Sequence, residues 1–199
     1  MKRLILASGS PRRQQLLSRV SLSFTVSVSE ADETIQSHQT PAEAVQALAL
    51  RKASKVAKRF PKDIVLGADT VVSIDGSILG KPGSAGEAKS MLLRLSGRTH
   101  TVYTGTAIIS PEQTCSFYSA TEVLFWDLTE EEITDYISSG EPFDKAGGYG
   151  IQGLGATLVK EIHGDYFTVV GLPLSRTVRA LRSFGITTRS VTEDKSERG

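Results

Sequence analysis

Arg12 and Arg13 stand side by side in the stretch LILASGSPRR, residues 4–13, where an apolar run meets Ser-Gly-Ser-Pro. With Pro11 at the first helical position and Ser10 as its cap, both guanidinium groups fall in the first turn of a helix. Cations are poorly placed at that end of the helix dipole. They gain a purpose if free backbone N–H groups and two arginine forks together receive an anion, and phosphate oxygens fit such forks well. Ser8 and Ser10 add hydroxyl donors, and in this reading the two cations repel until the ligand arrives. The competing reading is a solvated helix start. Asp69 closes the apolar run IVLGAD, and Glu33 lies in EADET. Two carboxylates beside a phosphate clamp suit magnesium-assisted attack of water on a phosphoanhydride. Each alone reads first as a turn or capping residue. Lys52, at the edge of a helical apolar stripe, and Lys81, in a loop, either snorkel to water or neutralise phosphate. Gln152 offers a donor and an acceptor together, which suits the edge of a nucleobase.

Two phosphate-binding patterns fail on context. GSILGKP, residues 76–82, has too few residues between its glycines for a P-loop and carries Pro82 where a magnesium-binding hydroxyl belongs. GYGIQG, residues 148–153, spells the dinucleotide fingerprint, but no strand precedes it and ATLVKEI after it reads as strand. Its glycines still indicate a sharp turn or a close backbone approach. His38, His100 and His163 have no metal-ligand spacing and read as surface or loop residues.

The elements that must position these groups alternate along the chain. LILA is a buried strand, followed by a helix from Pro11 to about Arg19 with Leu16, Leu17 and Val20 on one face. LSFTVSV, residues 22–28, alternates as a strand. A helix runs from Pro41 to Phe60, and DIVLGADTVVSIDGSILG forms two strands joined by a tight turn at Asp75-Gly76. Ser84 with Glu87 reads as a capping box before a helix ended by Gly97. Strands near 99–109 and 116–127, a helix capped by Thr129 and Glu132, a hairpin turning near HGD (163–165) and a helix near 173–184 complete the body. The order predicts an α/β fold with a mixed, hairpin-containing sheet and flanking helices. Residues 1–188 read as one domain, and 189–199, ending in polar TEDKSERG, as a disordered tail.

Composition narrows the function classes. The 199 residues are 39% hydrophobic and 23% charged, with a net charge of +1. That balance offers no global field for nucleic acid or an anionic membrane, so anion binding must come from a local cluster. Basic residues are not interleaved with aromatic ones, which further disfavours nucleic acid. One cysteine, Cys115, excludes an internal disulfide. No signal peptide or membrane-length segment is read, and the expected location is the cytoplasm.

LILASGSPRR, VLGADTVV, LGKP, LSGRTHTVYTG, EPFDKAGGYGIQG and GDYFTVVGLPL, in this order, resemble the successive signatures of the Maf-like nucleoside triphosphate pyrophosphatases. The resemblance covers nearly the whole chain except its C-terminal tail. It implies two lobes around a deep groove, a fold related to the inosine triphosphate pyrophosphatases, and cleavage between the α- and β-phosphates with a divalent cation (Mg2+, Mn2+ or Co2+). By position it implies Asp69 as general base, Glu33 as metal-associated acid with Asp69 nearby, and Lys52 and Lys81 facing phosphate. Ser8, Ser10, Arg12 and Arg13 fall on its phosphate binders. Arg13, Thr70 and Gln152 fall on its substrate-choice positions, in the form of the branch acting on dTTP and UTP. A homodimer is likewise implied. The alternatives are another base preference, such as CTP or 7-methyl-GTP, or a nucleotide-binding regulator of septum formation.

Overall fold

The computed structural model describes residues 2–188; the tail expected to be disordered, 189–199, lies outside the described residues. Among the described residues seven strands form one mixed sheet: β1 (Leu4–Leu6), β2 (Thr25–Val26), β3 (Ile64–Ile74), β4 (Ser77–Leu79), β5 (Thr99–Ile109), β6 (Thr114–Phe125) and β7 (Val159–His163), in the order β2-β1-β3-β5-β6-β7 with β4 on β3. β1 runs parallel to β2 and β3, and the remaining pairings are antiparallel. The β3–β4 hairpin turns at Asp75 and Gly76, both at positive φ, as a two-residue turn with right-handed strand twist demands.

Helices cover both faces. On one face lies α2 (Pro41–Ala57), whose Ala49, Ala53 and Val56 pack on Ile5, Ala7, Val65 and Ala107. Two strand glycines let it lie close: a Cβ on Gly67 would stand 2.5 Å from the Ala49 carbonyl oxygen, and one on Gly105 would stand 2.1 Å from that of Val45. On the other face α1 (Pro11–Arg19), α5 (Tyr166–Val170) and α6 (Leu174–Ser183) enclose Leu4, Leu6, Leu66 and Ala68. Farther along the long strands, α3 (Ala85–Leu95) and α4 (Glu130–Ser138) enclose Val72, Ile74, Val102, Val123 and Phe125. A cavity of about 590 Å3 opens between these two clusters and draws its lining from both.

Several local expectations change. The segment after HGD is a short helix, α5, rather than the second arm of a hairpin. Asp165 accepts the Phe167 N–H and the Thr168 hydroxyl, so a cap overrides the strand propensity of FTVV. The strand expected over 22–28 shrinks to Thr25–Val26, paired only with β1. Ser84 caps the Glu87 N–H, but the Glu87 carboxylate takes the Gly83 N–H, so the box is only half made. Thr129 and Glu132 form the full box, as do Thr40 and Glu43 at the start of α2. Ser10 occupies the N-cap position of α1 without capping it; its own N–H donates to Ser8 Oγ. His100 is not at the surface. It is 2% exposed, edge-on to Phe125 and Tyr149, with Nε2 2.7 Å from the Tyr149 hydroxyl.

Candidate active site

The register of β3 explains where the cavity opens. Along one edge β3 pairs with β1 at residues 64–66 and with β4 at 72–74, leaving 67–71 between them without a strand partner among the described residues. Side chains alternate across a sheet, so Asp69 and Thr70 point to opposite faces, yet both border this gap and line the cavity. The opposite edge of β3 is held by β5, with Asp69 across from Gly105. The close seat of α2 at Gly105, on the Val45 carbonyl, therefore brings the turn about two farther along the helix over Asp69.

Lys52, on that turn, sits between two carboxylates. Its ammonium donates to Asp69 Oδ1 and lies 2.8 Å from Glu33 Oε1. The hydrogen bond from Lys52, aided by its charge and by Lys81 and Arg13, holds the Glu33 carboxyl below the usual range despite partial burial. Glu33 comes from the loop after β2. Arg51 anchors that loop by donating to the carbonyls of Asp32 (3.0 Å) and Thr34 (2.8 Å) on either side. Consecutive residues of α2 thus hold the loop and meet its carboxylate.

The arginine pair is divided. Arg12 lies on the groove and donates to Asp144 Oδ2 at 3.1 Å. Arg13 turns inward and is 8% exposed. It donates Nε–H to the Gly171 carbonyl (2.8 Å), Nη1 to Ser8 Oγ (3.1 Å) and Nη2 to Thr70 Oγ1 (3.1 Å). Burial, and secondarily the neighbouring Arg12, pull its pKa down from the usual guanidinium value, while Asp69 and Glu33 oppose that. The expected repulsion awaiting a ligand is relieved within the protein: one cation has a carboxylate, the other three oxygens. Ser8 is buried as the acceptor for Arg13 and the Ser10 N–H, whereas Ser10 is partly exposed on the cavity wall.

The opposite wall comes from two loops. Lys81 follows Gly80, whose carbonyl receives the Gly147 N–H at 2.9 Å; Gly147, at positive φ, presses on Val72 where a side chain would collide. The glycine-rich segment thus approaches protein at that point. Gln152 lines the cavity, and its loop is fixed by the Glu141 carboxylate, which accepts the N–H groups of Leu154 (2.9 Å) and Gly155 (3.3 Å). Lys145 donates to Asp144 (2.6 Å) and to the Glu141 carbonyl (2.6 Å). All ten residues singled out from the sequence, Ser8, Ser10, Arg12, Arg13, Glu33, Lys52, Asp69, Thr70, Lys81 and Gln152, line this one cavity. Sequence reasoning missed Arg51, Asp144, Lys145 and the Gly171 carbonyl. Only the adjacent charges of EPFDKAGGYG hinted at Asp144 and Lys145.

Among the described residues no cluster of three or more His, Cys, Asp or Glu side chains converges as a metal site, and no helix is long and apolar enough to cross a membrane. The family model described as Maf-like protein matches residues 3–184. A dTTP/UTP pyrophosphatase of Bacillus cytotoxicus is 59% identical over 184 residues, covering 92% of this chain and 96% of that one. A dTTP/UTP pyrophosphatase of Bacillus cereus is 58% identical over 186 residues, covering 94% and 97%. Among solved structures, the Staphylococcus aureus Ham1 protein aligns with a TM-score of 0.47 at 17% identity over 63% of this chain and 73% of that one.

Proposed function

This chain belongs to the Maf family, and from that membership we propose that it hydrolyses dTTP and UTP to the monophosphate and pyrophosphate. The observation that carries the reading is the convergence on one cavity of Glu33, Asp69, Arg12, Lys52, Lys81 and the Gln152 amide, each from a different segment. Arg12, Lys81 and the uncapped first turn of α1 bind the triphosphate. Asp69 orients a water and takes its proton; the water oxygen bonds to the α-phosphorus as the bond to the bridging oxygen breaks, and pyrophosphate leaves. Lys52 donates to Asp69 and counters the negative charge gathering on the phosphoryl oxygens. Arg13, Thr70 and Gln152 receive the nucleobase, Arg13 as a buried strut for Thr70 rather than as a phosphate clamp.

A divalent cation fits this donor set. Glu33 and Asp69 already share one cationic group, the Lys52 ammonium, and a hard ion such as Mg2+ is satisfied by one or two carboxylates plus phosphate and water oxygens. When bound, it would neutralise phosphate charge and make a neighbouring water more acidic. A homodimer and a cytoplasmic location complete the proposal.

The test is a panel of nucleoside triphosphates assayed for pyrophosphate release, with Mg2+ and Mn2+ in parallel. dTTP and UTP are the expected best substrates, and Asp69→Asn should lower their turnover by about two to three orders of magnitude while nucleotide still binds. Near wild-type turnover in that variant overturns the role of Asp69. A preference for CTP or 7-methyl-GTP overturns the assigned base.

A further inference from the structure

Behind Thr70 runs a chain of hydrogen bonds with a single permitted direction. Arg13 Nη2 lies 3.1 Å from Thr70 Oγ1, Thr70 Oγ1 lies 2.9 Å from Thr104 Oγ1, and Thr104 Oγ1 lies 2.8 Å from the Thr168 carbonyl oxygen. One end is a guanidinium, which only donates; the other is a carbonyl, which only accepts. Each hydroxyl has one hydrogen. Thr104 gives its hydrogen to Thr168, so it must accept from Thr70, and Thr70 must accept from Arg13. The reverse orientation would leave the Thr168 carbonyl without this donor, since the N–H groups of Gly171 and Leu172 both go to Phe167. Thr104 and Thr168 are fully buried, where an unmet carbonyl is costly. The far end is also pinned, because Asp165 accepts the Thr168 hydroxyl at 3.1 Å.

We propose that Thr104 is a positioning residue for specificity: by taking the only hydroxyl hydrogen of Thr70, it makes Thr70 an acceptor alone toward the groove. This inference rests on the reading of the site as a pyrimidine nucleotide pocket. An acceptor at that point favours a nucleobase whose ring nitrogen carries hydrogen. Thymine and uracil do so at N3, whereas cytosine presents a lone pair there. A lone pair facing a lone pair is repelled, and the acceptor site of Thr70 that Arg13 does not fill is cut off from water and left unmet.

The experiment compares kcat/KM for UTP and CTP in wild type, Thr104→Val and Thr104→Ser. Wild type should favour UTP. Thr104→Val frees the Thr70 hydroxyl to donate as well as accept, and the UTP-to-CTP ratio should fall about tenfold. Thr104→Ser keeps the relay and should keep the ratio. An equal loss on both nucleotides in Thr104→Val, or a serine variant that behaves like the valine, overturns the role of Thr104. Should Thr104→Val not fold, wild type with N3-methyl-UTP carries the test: at least a tenfold lower kcat/KM than UTP is expected, and parity overturns the proposal. If wild type releases pyrophosphate from no pyrimidine triphosphate, the functional reading itself fails, and the inference with it. That result is distinct from an active enzyme with an unchanged ratio.

Discussion

Lys52 shows how one side chain can tune a neighbouring carboxyl. Its ammonium bonds both Asp69 and Glu33, and the bond to Glu33 is the main reason that carboxyl titrates below its ordinary range. A carboxyl whose pKa is depressed on folding contributes stability above its unfolded pKa, and that contribution is lost as pH falls through the folded value. Lys52→Met removes the donor and the charge together. The Glu33 carboxyl should then titrate higher, toward its ordinary range, as read by carboxyl-carbon NMR across an acid titration. Turnover of dTTP should fall by about two orders of magnitude, because the cation facing the phosphoryl oxygens is gone. An unmoved Glu33 titration would show that the ion pair does not persist in solution.

At the scale of elements, the site depends on how closely α2 lies on the sheet. Gly105 faces the Val45 carbonyl and pairs across the ladder with Asp69, so backbone contact there sets the height of Lys52 above Asp69. Gly105→Ala would place a methyl group 2.1 Å from that carbonyl oxygen, a collision of backbone rather than of a flexible side chain. Overpacking of this kind costs roughly 1–3 kcal/mol or more, and the melting temperature should drop by roughly 5–10 °C. Activity should suffer beyond the stability loss, since lifting α2 withdraws Lys52 and loosens the Arg51 anchor of the Glu33 loop. Gly80→Ala is the matched control. Nothing lies within 4 Å of its Cβ position, so calorimetry should show an unchanged melt.

Across the whole molecule, the core cluster beyond the groove contains an ionisable group that must stay neutral. Burial lowers the His100 pKa from 6.5 to about 4, with its ring edge-on to both Phe125 and Tyr149, which also touch each other. The unfolded chain takes up a proton as pH falls below 6.5, while the folded protein takes it up only near 4. Stability should therefore decline between those values, by roughly 3 kcal/mol in full. His100→Gln should flatten this part of the pH profile of urea unfolding. Tyr149 both bonds His100 and lines the cavity, so this core lies directly against the groove.

How much of this was legible in the chain follows from the range of each interaction. Local chemistry announced itself: the Asp75-Gly76 turn, the Thr129–Glu132 box and the 3.6-residue stripe of α2 depend on neighbours within a few residues. The ten cavity residues also stood out, through side-chain type and the order of their signatures. Pairings between distant segments did not. That Arg13 faces Gly171 and Thr70 while Arg12 faces Asp144, and that His100 is buried, depend on contacts made only after the sheet assembles. The helix at FTVV is a different case: its Asp165 cap is local, but strand propensity masked it. The sequence by itself determined most of the elements, the mixed sheet and the chemistry that SGSPRR and its partners can perform. Only the tertiary structure decided which arginine meets the groove and which supports Thr70. The helix register places adjacent residues about 100° apart, and the surrounding oxygens, brought from distant parts of the chain, determine what each one meets.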